Sequence, residues 1–118
     1  MAADPVVPAV VWASNGSTVF RSIDSGSTFT QAANGLTFPG QFAVGRLAID
    51  PAAPSTVYAA TGLGPFKTSD AGLNWRDVGL LMPGRRWLST ITVDPSNHLR
   101  VYAGTWSGEI YVSTSGGE

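Results

Sequence analysis

Short apolar stretches of about five or six residues recur along the chain; some alternate apolar and polar positions, and none has the longer period of a helix. The clearest stretches are residues 45–50 "GRLAID", residues 56–61 "TVYAAT" and residues 65–69 "PFKTS", and a short last stretch is residues 73–78 "LNWRDV". They are rich in β-branched and aromatic residues, and Gly, Pro, Asn or Ser turns separate them. Proline follows both Asp50 and Asp94, and it ends a strand there because it has no amide hydrogen to donate. The pattern therefore predicts an all-β protein built from short strands.

The chain also repeats itself. At an offset of 46, residues 11–13 "VWA" align with residues 57–59 "VYA", and residues 24–26 "DSG" align with residues 70–72 "DAG". At an offset of 44, residues 57–59 align in turn with residues 101–103 "VYA". A period of this length, with short strands in each unit, is typical of the blades of a β-propeller, each a sheet of four antiparallel strands.

The repeat divides the chain into three units, residues 1–36, 37–80 and 81–118, which we interpret as one continuous propeller segment. In order along a unit, we call the strands a, b, c and d. The first unit is expected to supply b, c and d, and the third a, b and c, which gives about two and a half blades. Because a propeller closes with about four to eight blades, we expect a homo-oligomer to complete the ring. A segment of a longer propeller is the alternative.

Residues 22–29 "SIDSGSTF" and residues 68–75 "TSDAGLNW" follow, fully or nearly, the pattern S-x-D-x-G-x-[ST]-[WF], and we call them the repeat turns. The pattern resembles the Asp-box of BNR-repeat propellers, a family of sialidases, xyloglucanase-type glycoside hydrolases, sortilin-like receptors and a photosystem assembly factor. The resemblance implies the propeller architecture and says little about activity. In the third unit, the offset of 44 places Thr114 where the aspartate should be.

We expect the residues of the repeat turns to be structural. Glycine adopts the positive φ of a tight hairpin without strain, and aspartate accepts backbone N–H groups across the turn. The aromatic residue that ends the pattern is expected to bury its ring. The predicted structural residues are Ser22, Asp24, Gly26, Phe29, Asp70, Gly72 and Trp75.

A ligand site is expected on the opposite face, which carries the d–a and b–c loops, because the resemblance implies ligand binding there. The residues that differ between units on this face are Trp106, Arg85, Arg86, Trp87 and Glu109, with Glu109 aligned to Pro65. Arginines beside a tryptophan could hold a sugar or carboxylate by stacking and hydrogen bonds. In the alternative interpretation, Trp87 starts a buried strand and the arginines are solvated.

Catalysis is not favoured, because glycosidases need two carboxylates beside one cleft. Five of the eight acidic residues fall in two repeat columns on the face of the repeat turns: Asp4, Asp50, Asp94, Asp24 and Asp70. Three remain: Asp77, Glu109 and Glu118. The only histidine, His98, lies in an a–b turn and is expected to be a surface side chain and not a metal ligand, so neither a metal nor another cofactor is expected.

The composition of the chain limits the kinds of partner that can be expected. A net charge of −1 gives no electrostatic reason to expect nucleic acid or a membrane surface, and the absence of cysteine excludes a disulfide. Residues 1–10 lack the basic and apolar regions of a signal peptide, although the resemblance favours an extracellular or periplasmic location. The sequence thus predicts a non-catalytic propeller module that self-assembles and binds carbohydrate. The alternatives are a fragment of a BNR-type glycoside hydrolase and a structural or engineered scaffold.

Overall fold

The computed structural model describes residues 2–3, 9–14, 18–32, 34, 44–61, 64–78, 88–105, 108–114 and 116. These residues form the strands β1 (Ala2–Ala3), β2 (Val11–Ser14), β3 (Val19–Ser22), β4 (Thr30–Gln31), β5 (Val44–Ile49), β6 (Val57–Thr61), β7 (Gly64–Thr68), β8 (Arg76–Asp77), β9 (Leu88–Asp94), β10 (Asn97–Thr105) and β11 (Ile110–Ser113). In this part of the chain there is no helix long and apolar enough to cross a membrane.

The strands form three antiparallel sheets. Sheet 1 has the order β1-β2-β3-β4, sheet 2 the order β5-β6-β7-β8, and sheet 3 the order β11-β10-β9. Within each sheet, strands that follow one another in sequence are paired, so each sheet is a meander of the kind predicted for a blade. The predicted all-β architecture is confirmed. The expectation that the first unit lacks strand a is wrong, because Ala2 and Ala3 pair with Trp12 and Val11.

The d strands are shorter than the sequence pattern predicted. β8 comprises only Arg76 and Asp77, whereas the sequence predicts strand d over residues 73–78. The reason is local: the residues just before β8 belong to a repeat turn, in which Asn74 bonds the side chain of Asp70 instead of a neighbouring strand.

Two apolar cores lie between the sheets. In the first, Trp12 and Val19 of sheet 1 pack against Val57, Phe66 and Trp75 of sheet 2. In the second, the side chains of sheet 2 and sheet 3 pack together: Tyr58, Ala60, Leu88, Ile91, Val93, Val101 and Ala103. The two sides of β6 therefore serve different cores, since Val57 and Tyr58 point in opposite directions. Sheet 2 is covered on both sides, as the inner blade of a stack would be.

Candidate functional site

The first repeat turn is closed by two side chains that bond each other and the backbone. The Ser22 hydroxyl donates to Asp24 Oδ1 (2.7 Å) and accepts the N–H of Gly26 (2.8 Å). Asp24 accepts the Thr28 N–H at Oδ1 (2.8 Å) and the Thr28 hydroxyl at Oδ2 (2.5 Å). The turn itself runs through Ser25 and Gly26, both with positive φ (62° and 91°).

The second repeat turn reproduces this network with different residues. The Thr68 hydroxyl donates to Asp70 Oδ1 (2.7 Å) and accepts the Gly72 N–H (3.0 Å). Asp70 accepts the backbone N–H of Asn74 (2.9 Å) and its side-chain amide (3.1 Å). The φ angles of Ala71 and Gly72 are 59° and 88°. The positive φ of both glycines follows the turn chemistry expected from the sequence, whereas the positive φ of the residue before each glycine had no signal there.

The aspartates of the turns are held in their ionised form. The hydroxyl and backbone N–H of Thr28, followed by the Ser22 hydroxyl, lower the pKa of Asp24 from its ordinary 3.8 to about 2. The Thr68 hydroxyl and the two Asn74 donors likewise lower the pKa of Asp70. A general acid needs the opposite shift. The geometry therefore favours a structural role for these carboxylates.

The third unit contains a one-residue insertion that the constant offset concealed. Tyr58 pairs with Lys67 in sheet 2, and the equivalent Tyr102 pairs with Val112 in sheet 3, which is an offset of 45 after the b–c loop. Glu109 therefore aligns with Gly64, and its predicted alignment with Pro65 is wrong. By the same shift Ser115, and not Thr114, takes the sequence position of the aspartate.

Each repeat turn is tied to the preceding a–b turn by one backbone hydrogen bond. The N–H of Ser25 donates to the carbonyl of Ala9 (2.9 Å), and that of Ala71 donates to the carbonyl of Ser55 (3.0 Å). In the third unit the N–H of Gly116 donates to the carbonyl of Leu99 (2.7 Å), and Gly116 also has positive φ (68°). Ser25, Ala71 and Gly116 are therefore equivalent, and the face that carries them is defined in all three units.

The turn that contains Gly116 packs on sheet 2, the sheet before its own. The carbonyl of Gly116 accepts the Tyr58 hydroxyl (2.9 Å) and Lys67 Nζ (2.8 Å), both from sheet 2. The Lys67 ammonium lies 5.4 Å from the centroid of the Tyr58 ring, and the equivalent Arg21 guanidinium lies 5.7 Å from the Trp12 ring. A cation beside an aromatic ring thus recurs on sheets 1 and 2, and on sheet 2 both members of the pair also donate to a turn of the next sheet.

On the opposite face, the b–c loop of sheet 3 holds a carboxylate in place. The Thr105 hydroxyl accepts the Glu109 N–H (3.1 Å), the Thr105 N–H donates to the Glu109 carbonyl (2.9 Å), and Gly108 has a φ of 90°. The hydroxyl of Tyr111 donates to Glu109 Oε2 (3.0 Å). Among the acidic residues whose side chains the structure describes, Glu109 is the one on this loop face.

The carboxylate–phenol pair is specific to sheet 3. Position 109 is Gly64 in sheet 2, and position 111 is Phe66 there, so neither functional group exists in the neighbouring sheet. Glu109 is a predicted site residue, whereas Tyr111 was missed because its aromatic ring aligns with a core phenylalanine. The other predicted ligand residues, Trp106, Arg85, Arg86 and Trp87, lie outside the described residues.

His98 has a neighbour that its sequence position did not reveal. It lies in β10, so its predicted place in an a–b turn is wrong; its side chain is 47% exposed, and its Nδ1 atom is 3.0 Å from Oδ2 of the buried Asp50, which directly follows β5. Asp50 also accepts the N–H of Ala52 (2.9 Å), so its carboxylate links an a–b turn to the next sheet. Within the described ranges no group of three or more potential ligands could hold a metal ion.

Solved structures with this fold are known. An ancestral GH74 enzyme matches 99% of this chain with a TM-score of 0.80 and 21% identity, over 17% of its own length. The GH74 xyloglucanase from Xanthomonas campestris matches 97% of the chain with a TM-score of 0.72 and 22% identity, over 21% of its length. YCF48 bound to D1 peptide matches 92% with a TM-score of 0.71 and 17% identity, over 35% of its length. No family model and no curated protein matches the chain.

These similarities establish the fold. The three sheets are consecutive blades of a β-propeller, as the period of the sequence predicted. The chain spans between 17% and 35% of the length of the three proteins it matches. At these identities the likeness carries the architecture alone.

Proposed function

We propose that this chain is a non-catalytic propeller module that associates with further copies of itself and binds carbohydrate on the face of its d–a and b–c loops. The observation that carries the proposal is the Glu109–Tyr111 pair. It adds a carboxylate and a phenol to the loop face of one blade, where the neighbouring blade has glycine and phenylalanine. Residues that interrupt a repeat on its loop face are candidates for function, because the repeat itself accounts for the scaffold.

The chemistry of this pair suits a sugar. A carboxylate accepts hydrogen bonds from sugar hydroxyl groups, and the hydrogen bond from the Tyr111 hydroxyl orients the Glu109 carboxylate. Trp106 belongs to the same b–c loop and is the proposed stacking partner, with Arg85, Arg86 and Trp87 as further proposed contacts. Similarity to a GH74 xyloglucanase makes xyloglucan oligosaccharides the first ligands to test.

Binding is tested by isothermal titration calorimetry with xyloglucan oligosaccharides. Because a hydrogen bond to a charged group contributes about 1.5–3 kcal/mol, Glu109→Gln should raise Kd about tenfold or more. Asp94→Asn is the matched control, since it removes a carboxylate from the turn face and should leave Kd unchanged. The proposed site is contradicted if the parent chain binds no saccharide. It is also contradicted if Glu109→Gln and Trp106→Ala both bind the saccharide as strongly as the parent chain does.

The second candidate function is a fragment of a glycoside hydrolase, which the two GH74 similarities favour. The turn-face aspartates Asp24 and Asp70 do not suit the general acid of such an enzyme, because their pKa values are lowered. Release of reducing ends from xyloglucan that is lost in Glu109→Gln would replace the first proposal with this one. Similarity to YCF48 bound to D1 peptide makes a protein-binding scaffold the interpretation that remains when no saccharide binds.

Two finer assignments belong to the same proposal. We assign the repeat turns to the Asp-box class, on the paired networks of Asp24 and Asp70 and on the sequence pattern. We also assign the protein to an extracellular or periplasmic compartment, on the same resemblance. Fractionation of the source cells with an antibody against the chain tests the location, and recovery in the cytoplasm alone would contradict it.

A further inference from the structure

Each sheet has a forward face, which packs on the next sheet along the chain, and a back face, which packs on the sheet before. The forward face of sheet 1 carries Trp12 and Val19, and the back face of sheet 2 carries Phe66 and Trp75. Forward residues of one sheet therefore always meet back residues of the next. The same arrangement recurs between Tyr58 of sheet 2 and the back face of sheet 3.

The outer forward face, on sheet 3, is apolar and exposed. Ile110 is equivalent to Val19 and Pro65, both of which are buried, yet its own side chain is 76% exposed. Val112 is equivalent to Arg21 and Lys67 and is 54% exposed. Ile110 is thus an apolar residue at a position that the other two sheets bury, and Val112 is an apolar residue where they carry a cation; the described residues leave both side chains exposed.

The outer back face, on sheet 1, carries an aromatic side chain that is more exposed than its equivalent in sheet 2. Phe29 is equivalent to Trp75, which is 5% exposed because it packs against Trp12 of the preceding sheet. Phe29 has no preceding sheet among the described residues and is 40% exposed. The expectation that Phe29 buries its ring as Trp75 does is therefore wrong for this chain by itself. Phe29 thus stands at the position that fills the interface between blades, with no partner ring among the described residues.

We propose that the forward face of sheet 3 docks on the back face of sheet 1 in a second copy of this chain, an inference that rests on the self-association in the proposed function. The two outer faces are the two halves of an interface that the chain already builds twice. In that interface Phe29 of one copy meets Tyr102 of the other, as Trp75 meets Trp12 within a chain. Val112 faces the turn of Ser25, as Lys67 faces the turn of Gly116.

The number of copies follows from the number of blades. One chain supplies three sheets, and closed propellers have about four to eight blades. One copy has too few blades and three copies have too many, so two copies form a six-bladed ring. The contact is head-to-tail, and closure of the ring uses it twice, which leaves no outer face uncovered.

The first test is the solution mass of the parent chain, measured by size-exclusion chromatography with light scattering over a range of concentrations. The expected species has twice the 12.3 kDa mass of one chain. A monomer at every concentration overturns the proposal, as do polymers whose mass keeps growing with concentration. Because carbohydrate binding is measured separately, a monomer that binds xyloglucan oligosaccharides refutes only the docking, and a dimer that binds none refutes only the saccharide site.

The interface is tested with two equally exposed apolar residues. Ile110→Asp places a charge in the proposed contact and should raise the dimer Kd about 30-fold or more, the loss typical of a central interface residue. Leu73→Asp is the matched control, because Leu73 is 71% exposed in the second repeat turn and lies on neither outer face. Equal effects of the two substitutions would overturn the assignment. Near-ultraviolet circular dichroism checks that both variants fold.

The head-to-tail geometry makes a prediction for mixtures. Phe29→Lys and Ile110→Asp should each be monomeric alone, but a mixture should form heterodimers, because one of the two contacts between the unlike chains has both parent faces. A mixture that stays monomeric contradicts the geometry.

A substitution can also strengthen the proposed contact. Val112→Lys should lower the dimer Kd, since it supplies the cation that Lys67 gives to Gly116 and Tyr58. A Val112→Lys chain that dimerises more weakly than the parent also counts against this contact.

Discussion

The indole ring of Trp75 meets that of Trp12 edge to face, with ring centroids 6.1 Å apart and an interplanar angle of 89°. Trp75 Nε1 donates to the carbonyl of Ala32 (2.6 Å), so both the ring and its polar atom are used in the contact. Trp12 lies in β2 of sheet 1 and Ala32 directly follows β4 of that sheet, whereas Trp75 directly precedes β8, the last strand of sheet 2. One side chain thus joins two blades, and it belongs to the turn that also closes its own blade.

Trp75→Ala should therefore lower the free energy of unfolding by about 3–5 kcal/mol, the usual cost of removing a buried aromatic ring. Trp75→Phe should lose less, since it keeps a ring against Trp12 and loses only the hydrogen bond to Ala32 and part of the contact. Urea unfolding followed by circular dichroism measures both. Equal losses in the two variants would show that the hydrogen bond, and not the ring packing, joins the blades.

The second repeat turn lies close to sheet 1, so replacing its glycine with alanine should lower the stability more than the same substitution in the first repeat turn. Gly26 and Gly72 have nearly the same φ, 91° and 88°. A Cβ atom on Gly72 would lie 2.8 Å from Trp12 Cη2 and 3.0 Å from Ala32 Cβ, whereas one on Gly26 would meet only the Phe29 ring, at 3.9 Å. Both alanine variants suffer the backbone strain, about 1–2 kcal/mol, and Gly72→Ala adds an overpacking cost of about 1–3 kcal/mol.

Thermal unfolding of Gly26→Ala and Gly72→Ala, compared with the parent, measures this difference. A lower Tm for Gly72→Ala than for Gly26→Ala is expected. The reverse order would mean that the turn of the second unit does not seat against Trp12 as the structure shows.

The repeat and its turns were predictable because they depend on residues close in sequence. The spacing of Asp24 and Gly26 encodes a hairpin whose donors lie within four residues, so the same letters at residues 70 and 72 implied the same turn. Contacts between units were not predictable in this way. Nothing near Lys67 in the sequence indicates that its ammonium reaches the carbonyl of Gly116, 49 residues away.

The candidate site was predicted only in part, for a related reason. Alignment at a constant offset assigned Glu109 to the correct loop but to the wrong equivalent residue, because one extra residue in the b–c loop leaves the apolar alternation of the next strand intact. Tyr111 was missed because its ring continues the core column of Phe66, and only its hydroxyl departs from the repeat. A polar atom on a core-like residue has no distinct signature in hydrophobic periodicity.

The buried hydroxyl of Thr68 predicts an effect that serine should rescue. It donates to Asp70 and accepts the N–H groups of Asp70 and Gly72 (3.3 and 3.0 Å). Thr68→Ala removes the hydrogen bonds to the exposed Asp70 and leaves the buried N–H of Gly72 without its acceptor, and it should cost about 1–3 kcal/mol of unfolding free energy. Thr68→Ser should recover most of the loss, because Ser22 fills the same position in the first repeat turn. Chemical denaturation of both variants measures the effect, and a loss in Thr68→Ser as large as in Thr68→Ala would assign the stability to the methyl group instead.

The low pKa of Asp24 predicts how stability depends on pH. Its folded-state pKa is about 2 against an ordinary 3.8, so the unfolded chain binds the proton more tightly. The stabilisation is therefore fully present above about pH 4 and is lost as the pH falls towards 2. Asp70 and Asp94 act in the same direction, since their pKa values are also lowered by donors from Thr68 and Ser96. Urea unfolding between these pH values should show stability that rises with pH.

Asp24→Asn is the test of this assignment, because asparagine keeps an oxygen that accepts the Thr28 N–H but has no titrating proton. The variant should be less stable than the parent at neutral pH, and the difference should shrink on acidification. The slope of stability against pH, which counts the protons bound on unfolding, should fall by up to about one proton between pH 2 and 4. Arg21→Lys, a substitution outside the network of Asp24, is the control and should leave the slope unchanged. An unaltered slope in Asp24→Asn would show that other carboxylates account for the acid sensitivity, and that the network of the first repeat turn is weaker in solution than its hydrogen bonds indicate.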